Sequence, residues 1–466
     1  MSIIRSIAKK IGMDKSIAYS SGARIVQGFT GVASVFFITS FLTGVEQGFY
    51  YTFGSILALQ VFFELGLTGI MTQYVAHEAS HLTLNNSEYE GEEKYKSRLS
   101  SLLSFCVKWY SVISVIVFIF LMIVGYVYFN KYGVSQNNVD WQIPWILICV
   151  GTAIKLFQSP FNSILMGLGF VKDMSKAGCY QQIILPAFTW IGLACGFKLY
   201  VMGIGYLLSV IYWQIFIYRQ GLTKILINLW RNKITERVGY MKEIFPYQWR
   251  IALSWVSGYF IFQLFNPVLF ATEGAVVAGQ MGMTLQALNA IQTFSFSWLN
   301  TKVPLYSKLI ALKDYIQLDT IFNKTLKQMV SVCFSLLTLF FLVIWFLHIT
   351  ELSINGNMLA NRFLDYEPML LMMIPVFLQQ FVNSWATYLR CHKKEPFLVN
   401  SICAGICMGS GTFVFGNMFG LYGVTISYCI LSILFFPWGY YLYKSNKIKW
   451  HGKKFSTSIK YLYSYF

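Results

Sequence analysis

The chain has 466 residues, 56% of them hydrophobic and only 12% charged, with a mean hydropathy of +0.55. A soluble protein carries about 25% charged residues, so a soluble globular domain is excluded and a polytopic membrane protein is indicated. The formal net charge of +17 is spread between hydrophobic stretches rather than gathered into one patch, which speaks for orientation in a membrane and against a nucleic-acid partner.

The N-terminal stretch MSIIRSIAKKIGMDK is too polar and interrupted for a secretory signal. Hydrophobic stretches of about 20 residues, the length a bilayer demands, then fall at 18–42, 49–75, 101–129, 143–167, 179–197 and 200–218. They recur at 246–270, 275–299, 327–349, 367–391, 397–416 and 420–443. The expected fold is an all-α polytopic membrane protein of about twelve transmembrane helices in two pseudo-symmetric six-helix lobes. Residues 1–218 and 246–443 form the lobes, 219–245 a cytoplasmic amphipathic linker and 444–466 a basic cytoplasmic tail. Pro144, Pro160, Pro186 and Pro375 predict kinked helices.

In the linker, Leu222, Ile225, Leu226, Leu229 and Trp230 fall at helical spacing, while Lys224, Arg231, Lys233 and Arg237 supply charge. This is the pattern of a helix lying on an anionic membrane surface, and the tail with Lys444, Lys447, Lys449 and Trp450 is expected to rest on lipid as well. If the N-terminus is cytoplasmic, the outer loops hold only Lys131, Lys198 and Arg362, and the opposite side collects nearly every other basic residue. That asymmetry assigns both termini to the cytoplasm.

The two halves echo each other. Gln158, Asn162, Ser163 and Lys172 of the fourth span reappear as Gln379, Asn383, Ser384 and Lys393 of the tenth, each 221 positions later. Arg24 and Arg250 open the first and seventh spans, and Glu46 and Glu273 sit at the turns that follow. Six spans per repeat keep both halves in one orientation, as parallel repeats about an axis normal to the membrane.

Ionisable groups inside spans are costly and usually face a cavity. Lys155 lies near mid-bilayer; it reads either as an anion site or as a structural lysine paired with a carbonyl or with Glu64. Glu64 in turn reads as an ion-pair partner of Arg24 or Lys155, or as a protonatable coupling site. Polar stripes on the eighth span (Gln286, Asn289, Thr293, Ser297, Asn300), the fourth (Lys155, Gln158, Ser159, Asn162) and the tenth (Gln379, Gln380, Asn383, Thr387, Arg390) suggest a wet interior between the halves, with interhelical hydrogen bonding as the competing reading. His77-Glu78-Ala79-Ser80-His81 matches the H-E-x-x-H zinc pattern but has no companion motif to supply a third ligand. No zinc site or other metal is expected. The nine scattered cysteines read as small apolar side chains.

The opening SSGARIVQGFTGVASVFFITSFLTGVEQGFYYTFGSILALQVFFELGLTGIMTQYVAHE, above all TGVEQGFYYTFGSILAL and the FELGL segment with Glu64, resembles bacterial polysaccharide-export proteins. These are the O-antigen translocases, Wzx-type flippases of the MATE-like multidrug/oligosaccharidyl-lipid/polysaccharide exporter superfamily. The resemblance implies two lobes in a V that open alternately to each side of the bacterial inner membrane. It implies transport, not enzymatic catalysis: undecaprenyl-pyrophosphate-linked oligosaccharide, an O-antigen or similar unit of lipopolysaccharide biosynthesis, would move from the cytoplasmic to the periplasmic leaflet. Arg24, Lys155 and Arg250 are the positions that would supply a cationic central cavity for the pyrophosphate, with the polar side chains for the sugar. Coupling to an H⁺ or Na⁺ gradient or to the membrane potential, without a cofactor, and contacts with a polymerase and assembly proteins also follow. The alternatives are an ion-coupled drug/cation antiporter on the same fold and a membrane polymerase or glycosyltransferase.

Overall fold

A computed structural model describes residues 30–451, except for 32, 86, 134–138, 355–356 and 393. Arg24 and the end of the tail therefore lie outside the described residues. Hydropathy and length set the layout, and the architecture is all-α and polytopic. Span 1 is described from residue 30 to residue 41. Span 2 is a bent pair, Gly44–Glu64 and Leu67–Ala79, turning by 43° where Leu65 and Gly66 take φ values of 51° and 66°. Spans 3 to 6 are Glu93–Tyr132, Gln142–Gly167, Val171–Ala194 and Tyr200–Arg219. Span 7 is Phe245–Phe262 continued by Phe265–Thr272, and spans 8 to 10 are Ala275–Asn300, Tyr315–Thr350 and Tyr366–Arg390.

The last helical stretch, Leu398–His451, is two spans. Gly420 breaks it with φ 55° and ψ −133°, a conformation a side chain would strain. The chain folds back there, since Gly411 faces Ser427 and Leu431, and Phe397 meets Gly439. Pro160, Pro186, Pro375 and Pro437 lie inside helices. Pro144 instead occupies the first turn of span 4, where its missing N–H costs no hydrogen bond, so it is no kink.

The same helix pairs pack in each lobe. Spans 2 and 4 match 8 and 10, and spans 3 and 4 match 9 and 10. Spans 1 and 5 meet through Phe37 stacked on Trp190 and the Trp190 indole N–H donating to Ser34 Oγ (2.9 Å); their mates 7 and 11 meet with Gly405 against Ser257. One echo is displaced. Glu46 sits in the first turn of span 2, in a capping box with Thr43, whereas Glu273 is the C-cap of span 7. The two glutamates are near in register but occupy different ends of different helices.

Two surface segments dock in part on protein. Leu222–Arg231 is a helix whose Leu222, Ile225, Leu226 and Leu229 are buried against spans 3 and 6, while Trp230, the fifth apolar residue of the pattern, is exposed. A neighbouring protein surface provides the apolar cover that a membrane would otherwise supply. The linker then runs along span 3, where Ser97 Oγ accepts from the Thr235 and Glu236 backbone N–H groups and Ser101 Oγ accepts from Val238 N–H. The start of the tail is equally docked, because span 12 continues as helix to His451. Lys447 pairs with Asp319 at 2.8 Å, and Asp319 also accepts from the Tyr388 hydroxyl (2.7 Å).

Candidate functional site: a polar cavity between the lobes

The lobes meet where span 2 begins and span 8 begins. Small residues let the backbones touch: a side chain on Gly48 would overlap the Ala275 carbonyl, and one on Gly279 would come within 2.9 Å of Gly48 N. This is the small-residue contact by which membrane helices approach closely. Gln47, buried, donates from Nε2 to the carbonyls of Gly279 (2.8 Å) and Arg362 (3.0 Å). Arg362, 4% exposed, comes from the loop between spans 9 and 10 and donates from Nη2 to the Leu42 carbonyl at the end of span 1 (2.6 Å). Lys198 adds a 2.8 Å ion pair to Glu46. The end that the charge asymmetry assigns to the outside is thus closed.

Beneath this closure lies a cavity of about 440 Å³ between spans 1, 2, 7 and 8. Its polar wall is Thr30, Ser34, Tyr51, Ser55, Gln263, Asn266, Gln286, Asn289 and Thr293, and no charged side chain is among the described lining residues. Gln286 ties three spans together, because its Oε1 accepts from the Tyr51 hydroxyl (2.6 Å) and its Nε2 donates to the Gly31 carbonyl (3.0 Å). Asn266 Nδ2 donates to Ser55 Oγ (3.1 Å), while Asn266 Oδ1 is buried without a partner. A wall of amides and hydroxyls presents both donors and acceptors, the equipment for recognising a polyhydroxylated ligand.

The expected site residues divide. Gln286 and Asn289 line the cavity. Gln379 and Asn383, hydrogen-bonded to each other at 3.2 Å, face a smaller pocket inside the second lobe with Asn400 and Arg390. Gln379 also shares a narrow space with Asn289 and Gln292 that connects this pocket toward the cavity. Gln158 is buried between spans 4 and 6, donating to Val210 O (3.3 Å) and Gln214 Oε1 (3.0 Å). Asn162 turns its amide to the Met166 sulfur at 3.8 Å. Neither lines the cavity.

The cationic centre that was expected does not line the cavity wall among the described residues. Arg250 is exposed, its guanidinium 5.5 Å from the Trp249 ring. Lys155 stands over the Tyr206 ring at 4.8 Å. Glu64 accepts a 2.8 Å hydrogen bond from Thr68, and no ion pair joins it to Lys155. The bend at Leu65 and Gly66 orients its carboxyl along its own span instead. His77 is exposed, and buried Glu78 is held by Arg98 at 3.1 Å.

Arg98 also bridges to Glu243 at 2.8 Å; that contact and the Gly239 N–H hold the Glu243 carboxyl below the usual range. Several wall residues escaped the sequence reading, namely Tyr51, Ser55, Gln263 and Asn266. Gln263 and Asn266 are three apart in an apolar span, and that spacing was the available signal.

No protein-family model matches the chain, and none of the curated proteins matches it in sequence. Among solved structures it is similar to an inward-facing multidrug resistance MATE family transporter of the MOP superfamily. The TM-score is 0.63 at 14% identity, covering 92% of this chain and 95% of that one. The MATE multidrug transporter DinF-BH, solved with a bound ligand, gives 0.56 at 14% identity over 95% and 97%. An outward-facing MATE family transporter gives 0.53 at 14% identity over 93% and 96%. At such identity the likeness establishes a MATE-like fold, and the stronger match to an inward-facing structure agrees with the closed outer end.

Proposed function

We propose that this protein is a membrane transporter that moves a lipid-linked oligosaccharide between leaflets by alternating access of its two lobes. The observation that carries this reading is the cavity wall: amides and hydroxyls from four spans, with no carboxylate among its described residues. Sugars are bound through such neutral donors and acceptors, whereas a cationic substrate calls for an acidic wall. The cations take the pyrophosphate. Lys155 and Arg250 have no carboxylate partner among the described residues, and an unpaired cation in a span favours an anionic ligand. Arg24, in the same reading, adds a third. The polyprenyl chain stays in lipid, and Glu64, free of an ion pair with Lys155, is the carboxyl available for ion coupling.

The fold itself favours a second reading, an ion-coupled drug antiporter, since the similar structures are multidrug transporters and one of them was solved as a ligand complex. Reconstitution decides between them. Proteoliposomes containing the protein are given a fluorescent polyprenyl-pyrophosphate oligosaccharide or a cationic rhodamine dye, and transfer of each is followed. Transfer of the lipid-linked sugar, reduced at least ~10-fold by Lys155→Ala, supports the flippase. Movement of the dye alone overturns it.

A further inference from the structure

Spans 3, 4 and 6 and the linker helix enclose a groove of about 490 Å³ that shares no lining residue with the cavity. Its walls are apolar: Ile154, Phe157 and Phe161 on span 4, Ile211 on span 6, Leu226 and Trp230 on the linker helix. Ile154 and Ile211 are exposed within it. It belongs to the half of the lobe nearest the linker, which the charge asymmetry assigns to the cytoplasmic leaflet.

Two features are not those of a surface that merely faces hydrocarbon. The first is Gln214, an exposed amide lining the groove, whose Oε1 is taken by Gln158 while its Nε2 has no partner among the described residues. A donor left open at membrane depth is costly unless an acceptor reaches it. The second is charge at the rim. Lys224 and Arg231, each next in sequence to a wall residue of the linker helix, are exposed and have no carboxylate partner among the described residues.

We propose that this groove is a binding site for one anionic glycerophospholipid of the cytoplasmic leaflet. An acyl chain fills the apolar wall, an ester carbonyl accepts from Gln214 Nε2, and the phosphate lies against Lys224 and Arg231. The groove has no wall in common with the cavity between spans 1, 2, 7 and 8, and a polyprenyl occupant is the alternative that native mass spectrometry separates. The site also clamps the linker helix to the first lobe, so the lipid holds in place the segment that joins the two lobes. It does not depend on what the cavity carries.

Native mass spectrometry of the full-length protein, purified in mild detergent and exchanged into equal amounts of phosphatidylglycerol and phosphatidylethanolamine with identical chains, tests this. Wild type is expected to retain one phosphatidylglycerol in preference to phosphatidylethanolamine by ~5-fold or more. Ile211→Trp, which fills the groove from an exposed position, removes that adduct. Gln214→Leu lowers it ~3-fold, and Lys224→Gln with Arg231→Gln abolishes the preference while phosphatidylethanolamine still binds. If Ile211→Trp fails to elute as a monodisperse species, the three surface substitutions give the same readout. Equal retention of both lipids by wild type and every variant overturns the site, as does a polyprenyl phosphate retained in place of the phospholipid.

Discussion

Gln286 links three helices through two hydrogen bonds, so its replacement tests the cavity wall at the scale of a single side chain. Gln286→Leu leaves the Tyr51 hydroxyl and the Gly31 carbonyl without this partner, and a buried group stranded in that way costs about 1–3 kcal/mol. We expect a lower melting temperature in detergent and a several-fold loss of transport. Tyr51→Phe removes only the hydroxyl and should cost about 0.5–1.5 kcal/mol, with a smaller shift in the same thermal assay. Arg362 poses the corresponding question at the outer closure. Arg362→Ala deletes a charged donor to the Leu42 carbonyl, worth about 1.5–3 kcal/mol, and should shift the population toward the outward-open state. Labelling of a cysteine at Ala275, fully buried in the closed outer end, by a membrane-impermeant maleimide reports the shift; unchanged labelling would remove Arg362 from the closure.

At the scale of elements, the contact of span 2 with span 8 depends on the absence of side chains. Gly48→Leu places a branched chain where the Ala275 carbonyl lies, so the closed outer end should be unattainable while each lobe still folds. Outer-end distances measured by paired spin labels should lengthen and lose their short component. The end of span 12 makes a different prediction. His392 Nε2 lies 2.9 Å from His451 Nε2, and burial lowers the His392 pKa, opposed by the Tyr388 carbonyl and by Asp319.

A histidine held neutral in the fold takes up its proton more readily when undocked, where its pKa is about 6.5. Its contribution is therefore complete above that value and lost as the pH falls through it toward the lower folded pKa. A spin label at exposed Ile448 should be immobile at pH 7.5 and mobile near pH 5, and His392→Phe should flatten the profile.

For the whole molecule, alternating access requires the outer end to open and close in each cycle. A side chain at Gly44 would lie 3.8 Å from the Val276 methyl carbons, so Gly44→Cys with Val276→Cys meets the reach of a disulfide. With exposed Cys195 and Cys407 replaced by serine, oxidation should arrest transport and reduction should restore it. Continued transport by the cross-linked protein would show that the outer end need not open.

The placement of the spans and the pairing of the two halves were legible in the chain, because bilayer thickness imposes a length and hydropathy on a span. The ends were not: Glu93–Tyr132 and Tyr315–Thr350 begin 8 and 12 residues before the hydrophobic stretches at 101 and 327. The Gln286, Asn289 and Thr293 stripe was legible for a related reason: three polar residues at helical spacing in an apolar span must share a face. Which way a face points was not. Gln379 and Gln380 are neighbours, yet the first lines a pocket with Asn383 while the second is fully buried with both amide atoms unpartnered. Gln158 and Gln379 hold equivalent places in the two repeats, yet one is locked to span 6 and the other faces polar space. Helix rotation is decided by the neighbours against which a helix packs, and in a membrane these contacts rest on close fit and not on hydrophobicity. For the same reason the linker pattern specified an apolar face, but only the tertiary structure decided that Leu222, Ile225, Leu226 and Leu229 meet spans 3 and 6 while Trp230 stays exposed.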